Sequence, residues 1–351
     1  MFRLFLFAFI IPFVVLRVDE ANAQLYKTFG RQILPYSTIY VDPSGQDGSF
    51  LTIQSAIDSI PSHNDRWIAI RVKAGIYREK IGIPREKPFI ILKGAGKRKT
   101  FVEWNDHSST DQSPTFTSLA NNTVVRTISF RNTYNEDSNG VHVAAVAAMI
   151  SGDQSYFYRV GFYGYQDTLW DDRGRHYYKL CTIQGAIDFI FGDGQSLFEV
   201  NYFSILFFDD FSSDNIFQHI EFRCAISVIG GGFITAQGRD DANDPGGFVF
   251  KDCTVFGNAT TYLGRPWRKY ARVLFYNSNL TNIVEPSGWN TWNSEGNEGL
   301  TTFAEYGNFG PGADTSQRVS WAKSLDLATI EQMTSMNFVN KPEQWIGYQP
   351  Y

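Results

Sequence analysis

Short apolar runs of alternating register, each broken by polar or glycine turns, recur along most of the chain. The clearest are "VVRTISFRN" from Val124, "YRVGFYG" from Tyr158, "YKLCTIQG" from Tyr178, "FKDCTVFG" from Phe250 and "FYNSNLTN" from Phe275. A period of two marks a strand with one face in a core, so each run predicts a short strand. No amphipathic helix of useful length separates them. Tyr158 and Tyr178 lie one repeat apart, and strands at an interval of about twenty residues, without crossover helices, predict a parallel β-helix of stacked coils. The competing fold, a β-sandwich of hairpins, calls for tight Asn-Gly or Asp-Gly turns. Those dipeptides, at Asn139, Asp47 and Asp193, do not sit between matching strand pairs. Near the start, "SFLTIQSAIDSIP" places Leu51, Ile53, Ala56, Ile57 and Ile60 at helical spacing, which predicts a helix capping one end of the core.

The first residues change the picture of the chain's destination. "MFRLFLFAFIIPFVVLRVDEANAQ" has an early basic residue, an apolar run from Leu4 to Leu16 and the small-x-small triplet Ala21-Asn22-Ala23. That order predicts a signal peptide over residues 1–23, cleaved before Gln24, and hence a secreted protein. The apolar run is shorter than the roughly 20 residues of a spanning helix, which argues against a membrane anchor. The rest, residues 24–351, is expected to form the β-helix domain. The leader's charges cancel, so the mature chain keeps the formal net charge of -5. A mildly acidic protein is not expected to bind nucleic acid or adsorb tightly to polyanions. Cys181, Cys224 and Cys253 are odd in number, so this is not a disulfide scaffold. Sequons at Asn121, Asn258 and Asn279 suit a secreted glycoprotein.

Candidate chemistry gathers around "GAIDFIFG" from Gly185, where a lone acid, Asp188, stands among Ala, Ile and Phe. An ionised carboxylate in apolar company is costly unless paired or hydrogen-bonded. Asp167 lies 21 residues earlier, close to one coil. Stacked strands are about 4.8 Å apart, so the two carboxylates are expected to be near neighbours on one surface. The two-residue period sends Ile187, Phe189 and Phe191 inward and Asp188 out onto the sheet, on an apolar floor. Two such carboxylates resist ionising together, so one can serve as acid while the other serves as base or nucleophile. The structural reading, two aspartates that merely cap turns, is slightly favoured by spacing alone. Gln166 and Asp167 are adjacent, so both can face one site only if the chain bends there.

Other chemistries fit poorly. There is no Gly-x-Ser-x-Gly elbow. His142 and His176 stand alone without metal-ligand spacing, and "KGAGK" at Lys93 lacks the rest of a phosphate loop. No metal or cofactor is expected.

Five segments, "GIYREKI" from Gly75, "GYQDTLW" from Gly164, "GRHYY" from Gly174, "DFIFG" from Asp188 and "LGRPW" from Leu263, together resemble the plant pectin methylesterases over nearly the whole mature chain. The resemblance implies a right-handed, single-stranded parallel β-helix of the pectin-lyase-like kind. It also implies hydrolysis of methyl esters on cell-wall homogalacturonan, with release of methanol, by a short form without the inhibitor-like pro-domain. By the same resemblance Asp188 is the nucleophile and Asp167 the proton donor that later activates water. Arg265 orients Asp188 and keeps it ionised through a bidentate fork. Gln166 stabilises the oxyanion, a contact worth about 3 kcal/mol in comparable sites. Trp267 and Trp289 line the groove, and Thr110 matches a substrate-contacting threonine; ordinary packing is the competing reading for both tryptophans. The implied partners are methyl-esterified homogalacturonan and a proteinaceous pectinesterase inhibitor, with the enzyme a monomer.

Two departures stand out. The family usually has Gln-Ala-Val-Ala one coil before "GYQDTL"; here the run is "AAVA", so Ala144 replaces a second oxyanion donor. Losing one such donor costs a rate factor of about a hundred or more. Second, residues 200–223, "VNYFSILFFDDFSSDNIFQHIEFR", interrupt the expected coil, and their removal would join "SLFE" to "CAIS". Their richness in Phe, Ile, Asn and Asp fits AT-rich codons and predicts a translated intron. The runner-up to an esterase is thus a catalytically weak pectin-binding β-helix. A polysaccharide lyase on the same fold would want an acidic calcium cluster, which the sequence lacks.

Overall fold

In the computed structural model, which describes residues 34–136, 141–200, 224–292 and 294–349, successive coils of the chain visit three parallel sheets in turn. Among the described residues these sheets have ten, eight and seven strands, and strands from successive coils are neighbours in each. Every pairing between named strands is parallel, as in Ser155–Tyr158 with Arg175–Lys179 and Gly161–Tyr163 with Thr182–Gly185. The parallel β-helix expected from the repeat is therefore the fold. No helix of the described residues is long and apolar enough to cross a membrane.

The recurring segments are not single strands. Each spans the end of one strand, a two-residue corner and the start of the next. In "YRVGFYG", Tyr158 ends one strand, Arg159 and Val160 make the corner, and Gly161 begins the next. The first corner residue is left-handed at Thr127, Arg159, Leu180, Asp252 and Asn277, with φ between 49° and 57°. Left-handed backbone swings the chain onto the next face, a conformation that a run of alternating residues does not advertise. Register also corrects the repeat. Tyr158 pairs with Lys179, and the partner of Tyr178 is Phe157.

The coil interior holds a ladder of rings. Phe157, Tyr178, Phe198, Phe250 and Phe275 stack face to face on successive coils, with centroids 4.7, 4.5, 4.6 and 4.5 Å apart. In-register strands place equivalent side chains one strand spacing apart, which suits offset aromatic stacking. The predicted helix is Ile53–Asp58, its N-terminus capped by Thr52. It buries Ile53, Ala56 and Ile57, whereas Leu51 is exposed. Two helices not foreseen in the sequence, Leu327–Thr334 and Asn337–Asn340, lie over the outer face of the ten-stranded sheet. There Met333, Phe338, Val339 and Trp345 cover a row that includes Tyr177, Leu197, Val249 and Leu274.

The predicted leader, 1–23, and nearly all of the predicted insertion lie outside the described residues. Val200 and Cys224, which flank residues 201–223, are both buried. They occupy the two corner places between Gln195–Glu199 and Ala225–Val228, matching Leu180-Cys181 between Arg175–Lys179 and Thr182–Gly185. Val200, the first residue of the predicted insertion, thus holds a corner place in the coil.

Candidate active site

The seven-stranded sheet carries the site. Ahead of its strands Leu169–Asp171 and Ile190–Gly192, Ala144, Gln166 and Ile187 form in-register bridges on three successive coils. Asp167 N–H donates to Ile187 O at 3.0 Å. Asp167 and Asp188 both sit in left-handed conformation, φ 60° and 49°, which aspartate tolerates better than most residues. This is the bend that the adjacency of Gln166 and Asp167 demanded. It also breaks the alternation expected along "GAIDFIFG": Phe189 and Ile190 point into the core, whereas Phe191 turns outward and stacks on Trp170 at 5.4 Å. Gly185 makes the bend possible, since a Cβ there would lie 2.2 Å from the Cβ of Phe189.

Asp188 is more enclosed than a carboxylate on an open sheet, with 7% of its surface exposed. The Arg265 fork meets it squarely, Nε to Oδ1 at 2.8 Å and Nη2 to Oδ2 at 2.5 Å. Arg265 reaches across from Thr261–Pro266, and its guanidinium lies between the rings of Trp292 and Phe233, at 3.8 and 3.9 Å from their centroids. Such stacking holds the fork flat toward the carboxylate. Neither aromatic was singled out in the sequence. Trp292 stands three residues from Trp289 in "WNTW", so the segment was visible but the choice between the two rings was not.

Electrostatics divides the two acids. Burial, and then the negative charge of Asp188, push Asp167 up to about 7, against a smaller opposing pull from Arg265. Asp188 is also raised, by burial, while its hydrogen bonds and charge contact with Arg265 pull it down. Burial is thus the larger influence on Asp188, and Arg265 offsets part of it. Asp167, raised to about 7, keeps its proton up to near-neutral pH, whereas the Arg265 fork favours the charged form of Asp188 against its burial.

The other sequence-predicted residues divide between groove and core. The Gln166 side chain makes no hydrogen bond among the described residues, so its amide is free to donate. Ala144 is its backbone neighbour one coil back and offers only a methyl group. Trp267 is 41% exposed, edge-on to Phe191 at 6.1 Å, with the Arg268 guanidinium 5.3 Å from its ring centroid. Trp289 is not in the groove: at 1% exposure its large apolar ring is buried inside the coil, packed on Phe303 at 4.6 Å and against Phe275 at 6.1 Å. Thr110, in the loop before Phe116–Ser118, accepts a bond from Ser113 Oγ through its carbonyl and has no hydrogen bond to either aspartate among the described residues. His176 is buried rather than on the surface, between Asp171 Oδ1 at 2.8 Å and the Gly152 carbonyl at 3.0 Å. His142 stacks on Tyr165. No group of three metal-ligating side chains occurs among the described residues.

The fold is a right-handed parallel β-helix, with two carboxylates on successive coils of one sheet and an arginine held to one of them. The pectinesterase family model matches residues 39–342, and the chain belongs to that family, whose members are carboxylic ester hydrolases. It is 51% identical over 319 residues to a protein of Arabidopsis thaliana described as probable pectinesterase 55, covering 88% of this chain and 89% of that one. It is also 51% identical over 315 residues to probable pectinesterase 29 of the same plant, covering 86% and 87%. Among solved structures, pectin methylesterase from carrot superposes with a TM-score of 0.79 at 27% identity, covering 92% of this chain and 98% of that one. The Aspergillus niger pectin methylesterase follows the same path with a TM-score of 0.70 at 29% identity, covering 88% and 97%.

Proposed function

We propose that this chain is a secreted pectin methylesterase that removes methyl groups from homogalacturonan through Asp188. The observation that carries the reading is the Arg265 fork on Asp188, one coil from an acid with its pKa near neutrality. Asp188 attacks the ester carbonyl carbon, and the resulting oxyanion takes a hydrogen bond from the Gln166 amide. Collapse breaks the bond to the methoxy oxygen, which leaves as methanol with the proton of Asp167. The galacturonyl group is then held on Asp188 as a mixed anhydride. Asp167, now ionised, takes a proton from water as its oxygen attacks the same carbonyl, which frees Asp188 and restores the Asp167 proton. The product carboxylic acid then ionises. Trp267 supplies a face for a sugar ring.

The predicted leader at 1–23 and exposed sequon asparagines at Asn121 and Asn258 support an extracellular, cell-wall setting. The chain acts as a monomer, open to a protein inhibitor at the groove. Methanol release from highly esterified pectin by the purified chain tests the reading directly. Sustained release supports it, whereas tight pectin binding with no methanol would assign the chain to the binding-only alternative.

A further inference from the structure

The formal charge of -5 hides a local excess of the opposite sign. On the outer face of the ten-stranded sheet, Tyr40, Arg71, Lys93, Arg126, Tyr158 and Lys179 are in-register partners on six consecutive strands. Strands repeat every 4.8 Å or so, which turns these residues into a straight stripe of cations and rings. Arg159, at the corner beside Tyr158, adds another cation; its guanidinium and that of Arg126 lie 5.5 and 5.0 Å from the Tyr158 ring centroid. Tyr40, Arg71 and Lys93 also line a concavity of about 590 Å³. Lys73, in the same hollow, is bound to Asp42 at 2.6 Å, but neither Arg71 nor Lys93 meets a carboxylate among the described residues.

Like charges on neighbouring strands repel, so the run Arg71, Lys93 and Arg126 costs stability unless an anion lies across it, whereas Lys179 at the far end already faces Glu199 on the next strand. The crowding is visible at Lys93, whose pKa is lowered by burial first and then by Arg126 and Arg71. The aspartate pair lies on a different sheet of the coil, so the stripe is no part of the groove. We propose that the stripe is a second polysaccharide site, which binds de-esterified galacturonan through Arg71, Lys93, Arg126, Arg159 and Lys179 while Tyr40 offers a ring face. The choice of ligand rests on the proposed esterase function, whose product is a regular polyanion. A uronan carries one carboxylate per sugar along an extended chain, and its pyranose faces suit tyrosine. The site would keep the enzyme on demethylated stretches while the groove works on esterified ones nearby.

The test measures binding of unesterified oligogalacturonate to the full chain and to the Arg71→Gln/Lys93→Gln double variant, at two salt concentrations, with poly-glutamate as a second polyanion. Exposed charge pairs are individually weak, so the double variant is expected to lose about fivefold in affinity and much of the salt dependence. Its turnover of a short methyl-esterified oligomer should stay unchanged. Unaltered affinity in the double variant would overturn the proposal, as would binding that is lost in Trp267→Ala instead, or equal affinity for poly-glutamate. Binding that follows the stripe in a chain that releases no methanol would sustain this site while sinking the esterase reading.

Discussion

At the scale of single residues, the chemistry depends on how far the environment separates two aspartates of the same intrinsic acidity. Burial raises both, and the charge of Asp188 raises Asp167 further, to about 7. With Asp167 as the required acid and Asp188 as the required base form, kcat/KM should fall as pH rises through about 7. A pH–rate profile flat across neutrality would contradict that assignment. The same shift is linked to stability: a carboxyl whose folded pKa is raised contributes stability fully present below its unfolded value near 3.8, and lost as pH climbs through about 7. Ala144 is the residue most at odds with an efficient site. It bridges Gln166 in register, so a glutamine there would lie one strand spacing from the existing amide. Ala144→Gln should raise kcat by up to about a hundredfold, measured as methanol released per enzyme. No gain would mean that the oxyanion is already fully satisfied.

At the scale of elements, the corner explains what the sequence could and could not convey. The repeat length and the absence of crossover helices were legible, because strand periodicity and glycine turns are local signals. Corner geometry was not, because left-handed Thr127 and Leu180 interrupt strands whose side-chain pattern continues through the bend. The same blindness directs Phe191 into the core, whereas it faces outward on Trp170. Asp167, Asp188 and Arg265 were legible through their motifs, and Gln166 with them. The aromatic clamp on Arg265 was not, since Phe233 and Trp292 come from the coils before and after it and belong to none of the motifs. The corner also yields a prediction. Val200 and Cys224 already complete a two-residue turn, so a chain lacking 201–223 should fold and release methanol at least as fast as the full chain, with less aggregation. Failure of the shortened chain to fold would mean that those residues are integral to the protein, and sequencing the transcript across them decides whether they are encoded as exon.

At the scale of the whole molecule, the β-helix is a device for bringing residues one coil apart in sequence into contact across one strand spacing. The stacked rings from Phe157 to Phe275 keep the coils in register, and register is what sets Asp167 beside Asp188 and aims Arg265 at the latter. The three faces then divide labour: one carries the groove, one lies beneath the C-terminal helices and carries the cationic stripe at its margin, and the third closes the coil. The central claim is that this framework exists to hold one ionised aspartate against an ester. Methanol release by Asp188→Asn, compared with the unaltered chain at equal folded concentration, tests it most directly. A fall of about a thousandfold or more with pectin binding retained is the expected result; turnover within a few-fold of the original would show that another group attacks the ester.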